Sequence, residues 1–141
     1  MILQKGALMA HIFTYGSLMF EEVWNQLVSG KYSHAPALLE GYARRCVKHE
    51  EYPVIFEANE SVKGVLYYDV EPYDIDKLDA FEGEYYERKS VLLNNCIDAQ
   101  VYVLKKEYFD IIEEKPWDEE AFKNEGIKRF CENYKGFMTS S

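Results

Sequence analysis

The sequence has few of the residues that build metal centres and disulfide frameworks. It contains three cysteines, Cys46, Cys96 and Cys131, and three histidines in 141 residues. The cysteines are odd in number and form no C-x-x-C motif, which predicts free thiols in a reducing, cytoplasmic setting. The histidines have no metal-ligand spacing, and no H-E-x-x-H motif occurs. We therefore expect no bound metal.

Three further features that the sequence lacks argue against particular classes of function. The sequence contains neither a P-loop nor a G-x-G-x-x-G motif, so no nucleotide-binding loop is recognised. No apolar stretch approaches the roughly 20 residues that span a membrane. Basic residues are scarce, with 16 Lys and Arg against 25 Asp and Glu, and the net charge is −9. Because nucleic acids and anionic membranes attract positive surfaces, we expect neither as a partner.

Apolar and aromatic residues are plentiful instead. Hydrophobic residues make up 48% of the chain and aromatic residues 16%, with twelve Tyr and eight Phe. This composition and length suit one domain with a real core. We predict an N-terminal extension over residues 1–9, in which Met9 is an alternative start, a single domain over residues 10–137 and a tail over residues 138–141. Size and composition favour a monomer or a weak dimer.

Hydrophobic periodicity predicts about six strands and three or four helices. The expected strands are 11–15, 35–47, 52–56, 62–70, 85–93 and 99–104, with the last two forming a hairpin. The expected helices run from a cap at Ser17 to about Ser29, from Pro72 to a stop at Gly83, over 107–114, and from about Asp118 along a face that reaches Tyr134.

The order of these elements predicts the class of fold. Several strands follow one another without intervening helices, which argues against a doubly wound parallel sheet. We therefore predict an α+β fold, in which a curved mixed sheet or partly closed barrel carries flanking helices. Gly41 lies inside the second strand and predicts a bend or bulge there.

The first candidate site segment is Tyr15-Gly16-Ser17-Leu18, directly after a predicted buried strand. A glycine turn at the start of a helix leaves several N–H groups unpaired and aimed in one direction. Such a nest accepts a carboxylate or a developing oxyanion. Taken alone, the segment is more typical of a strand end followed by an ordinary helix cap.

The second candidate segment, residues 81–88, contains a carboxylate in a tight turn. Glu82 is expected at the C-terminus of a helix, where the helix dipole disfavours negative charge, and next to aromatic rings that would desolvate it. Both effects raise the pKa of a carboxyl group and suit it to proton transfer near neutral pH. Arg88 would oppose this by pairing with Glu82, although an ion pair with Glu84 or Glu87 is the more ordinary expectation.

Together these segments resemble the gamma-glutamylcyclotransferase-like family, of the gamma-glutamylamine cyclotransferase type. Four blocks, in order over about residues 11–104, carry the resemblance. The first two are Tyr15-Gly16-Ser17-Leu18, which is similar to the family's YG(S/T)L loop, and Leu39-Glu40-Gly41-Tyr42 with Tyr52-Pro53, which is similar to its second block. The last two are Leu78-Asp79-Ala80-Phe81-Glu82-Gly83 with Tyr86 and Arg88, which is similar to its LDxFEGxxYxR block, and Val101-Tyr102-Val103, which is similar to the strand after that block.

The resemblance implies a small barrel of mixed strands with flanking helices. It also implies an acyltransferase-type lyase or transferase that releases 5-oxoproline from a small gamma-glutamyl amide or amine without a cofactor. In that family Glu82 would be the general acid and base, and residues 15–18 would bind substrate. The α-amine of the substrate attacks its own γ-carbonyl, so the enzyme needs no nucleophile, and no Ser/His or Cys/His arrangement is visible.

Tyr15, Tyr52 and Tyr86 are further candidates for the pocket wall. A tyrosine on a strand is nevertheless more often a packed core residue with a satisfied hydroxyl. Three other functions stay open from the sequence. One is a variant of the enzyme that acts on a larger molecule bearing a gamma-glutamyl group. The others are a ligand-binding or regulatory module that kept the pocket without turnover, and an interaction domain that uses the C-terminal helix. Retention of Glu82 favours the enzyme, because a binding site has less need of a base there.

Overall fold

The computed structural model describes residues 8–133, and its centre is a six-stranded mixed sheet that curls into a half-barrel. The strand order is β4-β5-β1-β3-β2-β6. Neighbouring strands are antiparallel, except that β1 and β5 are parallel. The strands are β1 (Ala10–Thr14), β2 (His34–Val47), β3 (Pro53–Val70), β4 (Tyr86–Leu92), β5 (Asp98–Leu104) and β6 (Ile112–Glu113). The predicted α+β class and curved mixed sheet are confirmed.

Four helices accompany the sheet within the described residues: α1 (Glu21–Leu27), α2 (Pro72–Glu82), α3 (Glu119–Ala121) and α4 (Ile127–Asn133). A π turn over Phe122–Gly126 joins α3 to α4, and 3₁₀ turns cover Ser17–Met19 and Lys106–Ile111. No helix in residues 8–133 is both long enough and apolar enough to cross a membrane.

The core lies on both faces of the sheet, as the alternation along β1 shows. Ile12 belongs to the apolar cluster that packs under the helices, where Trp24 of α1 stacks on Tyr67 with ring centroids 3.7 Å apart. The next residue, Phe13, belongs to a second cluster with Leu39 and other strand residues. Successive side chains of a strand point to opposite faces, so the two clusters pack on opposite faces of β1 and fix its position.

Several predicted details are confirmed. Strands β4 and β5 form the expected hairpin. Gly41 has φ of +90°, a conformation that favours glycine, and the register of β2 against β3 shifts between Glu40 and Tyr42. The carboxylate of Asp118 caps the final helical segment by accepting the Ala121 N–H at 3.0 Å. All three cysteines are free thiols.

The predicted helix start at Ser17 is wrong. Ser17 makes no capping hydrogen bond, and Ser17–Met19 form a 3₁₀ turn rather than the first turn of an α-helix. Phe20 is extended, with φ of −95° and ψ of 128°, and α1 begins only after it. The helix also ends at Leu27, because Val28 returns to extended backbone.

Two other predicted elements also need correction. The strands expected at 52–56 and 62–70 are one strand, in which Glu57 and Ser61 pair with Tyr42 and Glu40 of β2 on either side of a register shift. The helix expected over 107–114 is a 3₁₀ turn followed by β6, which pairs with the end of β2. The face predicted for the last helix includes Tyr134, which lies outside the described residues, as do residues 1–7 of the predicted extension and the tail at 138–141.

Candidate active site

All seven residues predicted for the site line one cavity of about 380 Å³. The cavity lies where the end of β1 meets the C-terminus of α2. Its wall contains Glu82, the turn residues Tyr15, Gly16, Ser17 and Leu18, and the two further tyrosines Tyr52 and Tyr86. The fold thus brings together two segments that are far apart in the sequence, as their joint use in one site requires.

The remainder of the wall is largely aromatic. Residues that the sequence did not single out for the site include Phe13, Phe81, Tyr85, Tyr102 and Phe130. Among residues 8–133, Glu82 and Glu84 are the only carboxylic acids that line the cavity, and no Lys, Arg or His side chain lines it. An anionic group of a ligand would therefore depend on N–H or hydroxyl dipoles, whereas an ammonium group would meet a carboxylate.

Glu82 is the last residue of α2, as the sequence predicted. Gly83 ends the helix with φ of +80°, and its N–H donates to the Asp79 carbonyl at 3.1 Å. The Glu82 side chain is partly exposed to the cavity and makes no hydrogen bond or ion pair with other described residues. Burial by the surrounding protein, and secondly the charge of Asp79, raise the pKa of Glu82 to about 8.

Asp79 does not line the cavity, but its charge raises the pKa of Glu82, an influence that the sequence-based predictions missed. The Arg88 guanidinium donates to both of its carboxylate oxygens, from Nε at 2.9 Å and from Nη2 at 3.2 Å. The Tyr102 hydroxyl donates to Oδ1 at 2.6 Å. Asp79 precedes Glu82 by three residues on α2, and that spacing, which places both acids on one helix face, was the available signal.

Arg88 makes a structural ion pair as expected, but its partner is Asp79 rather than Glu84 or Glu87. Residues 84 and 87 lie close in sequence, but the guanidinium of Arg88 reaches back from β4 to the last turn of α2. Arg88 also donates to the side-chain oxygen of Gln100 on β5. With Arg88 bound elsewhere, the charged form of Glu82 receives no compensation from it.

The turn at residues 15–18 is held in place from several directions. The Tyr15 hydroxyl donates to the Tyr102 carbonyl at 2.6 Å, and burial raises the pKa of this phenol, with a further contribution from Glu82. The Tyr15 carbonyl accepts a hydrogen bond of 2.7 Å from Arg44. A Cβ on Gly16 would lie 2.7 Å from Cδ of Pro53, so only glycine allows the segment 52–53 to pack so closely on the turn.

The hydrogen bonding of this turn leaves its N–H groups available. The carbonyls of Gly16 and Ser17 accept from the N–H groups of Met19 and Phe20 at 3.0 and 3.2 Å. The N–H groups of Gly16, Ser17 and Leu18 donate to no group within residues 8–133. These N–H groups lie at a 3₁₀ turn instead of the start of an α-helix, and the turn lines the same cavity as Glu82. The anion-binding nest stays a prediction.

The chain is similar to known proteins over most of its length. Residues 12–119 match the family model described as gamma-glutamyl cyclotransferase, AIG2-like. AIG2-like protein D of Arabidopsis thaliana is 30% identical in a match that covers 94% of this chain and 92% of that protein.

Solved structures agree with this match. A solution structure of an Arabidopsis thaliana protein has a TM-score of 0.65 at 27% identity and covers 93% of this chain and 91% of its own. A gamma-glutamyl cyclotransferase has the same fold, with a TM-score of 0.57 at 17% identity over 89% of this chain and 86% of that one. These findings confirm the resemblance and support a cyclotransferase-like enzyme. The chain belongs to the AIG2-like gamma-glutamyl cyclotransferase family.

Proposed function

We propose that the protein cleaves a gamma-glutamyl amide or amine by attack of the substrate's own α-amine on its γ-carbonyl, releasing 5-oxoproline and a free amine. The observation that carries this proposal is Glu82, a carboxyl group with a pKa of about 8 beside unpaired backbone N–H groups. Intramolecular acyl transfer needs a proton carrier and an anion-binding group, and it needs no nucleophile from the enzyme.

Glu82 acts first as a base and then as an acid. Its carboxylate accepts a proton from the α-ammonium group, and the freed amine attacks the γ-carbonyl carbon to form the new C–N bond of a five-membered ring. Collapse of the tetrahedral intermediate breaks the old C–N bond, and Glu82 returns a proton to the departing nitrogen. The second proton lost by the ring nitrogen passes to water, from which the free amine recovers one at neutral pH.

The turn at residues 15–18 supplies the anion-binding group. Its N–H groups hold either the α-carboxylate of the substrate or the oxyanion that develops on the γ-carbonyl. Among residues 8–133 no cationic side chain lines the cavity, so backbone N–H groups take the place of a cation. The aromatic wall, which includes Tyr15, Tyr52 and Tyr86, excludes water and holds the bent substrate. Such orientation contributes several kcal/mol to catalysis.

The proposed partner is a small-molecule gamma-glutamyl compound, and the reaction uses no cofactor. We propose that it takes place in the cytoplasm, in a monomer or weak dimer that binds neither nucleic acid nor membrane. The overall charge of −9 supports the last of these points.

The test is release of 5-oxoproline, measured by mass spectrometry, from gamma-glutamyl amino acids and gamma-glutamyl amines. We expect Glu82→Gln to lower turnover by about 10²–10⁴-fold, the usual contribution of general acid–base catalysis. Glu87→Gln removes the same charge from an exposed residue of β4 and serves as the control. Undiminished turnover by Glu82→Gln would show that Glu82 is not the general acid and base. A folded wild type that binds 5-oxoproline but turns over no substrate would favour a binding module of the same fold.

A further inference from the structure

Arg44 lies behind the turn at residues 15–18, outside the cavity that contains Glu82. Its Nη1 donates to the Tyr15 carbonyl at 2.7 Å and to the Lys63 carbonyl at 3.2 Å. Its guanidinium also lies over the ring of Trp117, with Cζ 5.2 Å from the ring centroid. Arg44 forms no ion pair within residues 8–133, so its hydrogen bonding is directed at these carbonyls.

The face that Arg44 occupies is separate from the proposed active site. Arg44 lines a second cavity of about 400 Å³ together with Arg45, Lys115 and Trp117, and none of these residues lines the cavity that contains Glu82. Gly16, in contrast, lines only the first cavity. The peptide bond between Tyr15 and Gly16 therefore joins two residues of the first cavity, while its carbonyl is bound by a residue of the second.

The geometry of this peptide links the two faces. The bond is trans, as are all peptide bonds in residues 8–133, so its carbonyl and its N–H are coplanar and point in opposite directions. Arg44 binds the carbonyl from the side of the second cavity. The Gly16 N–H consequently points away from Arg44. Gly16 lines the first cavity, and its N–H donates to no protein group among the described residues.

Glycine makes this orientation easy to lose. A peptide plane next to glycine can rotate with little steric cost, because no Cβ restricts the backbone. The close approach of Pro53 nevertheless requires glycine at position 16. A hydrogen bond to the Tyr15 carbonyl opposes this rotation and so holds the orientation of the Gly16 N–H.

We propose that Arg44 is a positioning residue, which fixes the Tyr15–Gly16 peptide so that the Gly16 N–H faces the substrate. The inference rests on the proposed function in that the Gly16 N–H is taken to bind a substrate anion. Arginine suits the role because its planar fork bonds two carbonyls while it stacks on an aromatic ring. A lysine ammonium can bond a carbonyl but cannot reproduce the stacking.

The experiment compares Arg44→Gln and Arg44→Lys with the control Arg45→Gln. Arg45 is the next residue and lines the same second cavity. It donates to the exposed Glu60 at 2.7 and 3.1 Å and to the backbone carbonyl of Arg44 at 3.0 Å, so its loss removes an equal charge and leaves the Arg44 side chain in place. The probe is 5-oxoproline. Affinity is measured by calorimetry, and the Gly16 amide is followed by ¹H–¹⁵N NMR with and without the probe.

We expect Arg44→Gln to weaken 5-oxoproline binding or to lower kcat/KM by about 10- to 100-fold, the range found when one oriented donor is misplaced. The Gly16 amide resonance should move in the free protein and stop responding to 5-oxoproline. Arg44→Lys should recover part of the loss, and Arg45→Gln should match wild type. The pH midpoint of activity should stay unchanged in all variants, because Glu82 is untouched.

The kinetic constants distinguish the two anions that the turn could hold. A fall in kcat at constant KM would show that the Gly16 N–H serves the oxyanion, which exists only after attack. A rise in KM at constant kcat would show that it binds the α-carboxylate of the substrate from the start.

The inference and the proposed function fail in different ways. If wild type turns over a gamma-glutamyl compound while Arg44→Gln keeps normal affinity, normal kinetics and an unshifted Gly16 amide, Arg44 has no positioning role and the function stands. If wild type has no turnover, the function fails, yet the Gly16 amide of the free protein still tests the role of Arg44. An amide resonance that Arg44→Gln leaves unshifted would overturn the inference in that case too.

Discussion

Replacing Glu82 by Gln should make the folded protein progressively more stable than wild type as the pH rises. The pKa of Glu82 is about 8 in the folded protein, against an ordinary value of 4.5. Between these two pH values the folded state binds more protons than the unfolded state, so the free energy of unfolding of wild type falls as the pH rises. A glutamine does not titrate, so the variant escapes this loss.

The magnitude follows from the width of the pH window. Each pH unit inside it removes about 1.4 kcal/mol from the free energy of unfolding of wild type, which amounts to about 3 kcal/mol at neutral pH. The loss is complete once the pH exceeds the folded pKa of about 8. The amide of the variant adds an offset of its own, but that offset is independent of pH, so the change of the difference with pH isolates the carboxyl group.

Urea unfolding of wild type, Glu82→Gln and Glu87→Gln from about pH 5 to about pH 8 measures this effect. We expect the stability difference between Glu82→Gln and wild type to grow by about 3 kcal/mol across that range. The difference between Glu87→Gln and wild type should stay nearly constant, because Glu87 is exposed on β4 and changes its surroundings little on folding. A flat difference for Glu82→Gln would show that the cavity does not desolvate this carboxyl group, and the argument for its role as proton carrier would fail with it.

Three further substitutions test the surroundings of the site. Asp79→Asn removes a charge that raises the pKa of Glu82, so the pH midpoint of kcat/KM should move to lower pH, by less than the shift that burial produces. Gly16→Ala places a Cβ 2.7 Å from Pro53 Cδ and should lower 5-oxoproline affinity at least about 10-fold in calorimetry, because the turn must shift. Asp74→Ala removes a fully buried carboxylate that accepts two backbone N–H groups and a tyrosine hydroxyl, and should lower the free energy of unfolding by about 3–5 kcal/mol in urea titrations. Activity per folded Asp74→Ala molecule should stay normal, since Asp74 does not line the cavity.

Local patterns were sufficient to predict which segments line the candidate site. The apolar residues before Tyr15 predict a strand that ends at a glycine, and the spacing before Gly83 predicts a helix that ends at Glu82. These signals act over a few residues, so they survive without knowledge of the rest of the fold. The hairpin of β4 and β5 was predictable for the same reason.

Features that depend on register could not be predicted in this way. The contact of Arg44 with the Tyr15 carbonyl requires the pairing of Arg44 with Ile55, which follows the register shift at Gly41. The two-residue strand β6 exists only because the end of β2 offers it a partner. Neither contact leaves a periodic signal in its own segment, since each depends on backbone hydrogen bonds to residues distant in sequence.

The C-terminal part of α2 contains two acids, Asp79 and Glu82, and only Asp79 forms an ion pair with Arg88. Asp79 and Glu82 share a helix face, and Arg88 binds Asp79 through two hydrogen bonds, with a third from Tyr102. An arginine on Glu82 would hold that carboxylate ionised and prevent it from returning a proton to the leaving amine near neutral pH. Because Arg88 is bound to Asp79, the charge of Glu82 is neutralised by uptake of a proton and not by an ion pair with a residue in 8–133. With its guanidinium held by Asp79, Arg88 leaves Glu82 able to take up and return a proton, and Asp79→Asn should lower the pKa of Glu82 by removing the nearby negative charge.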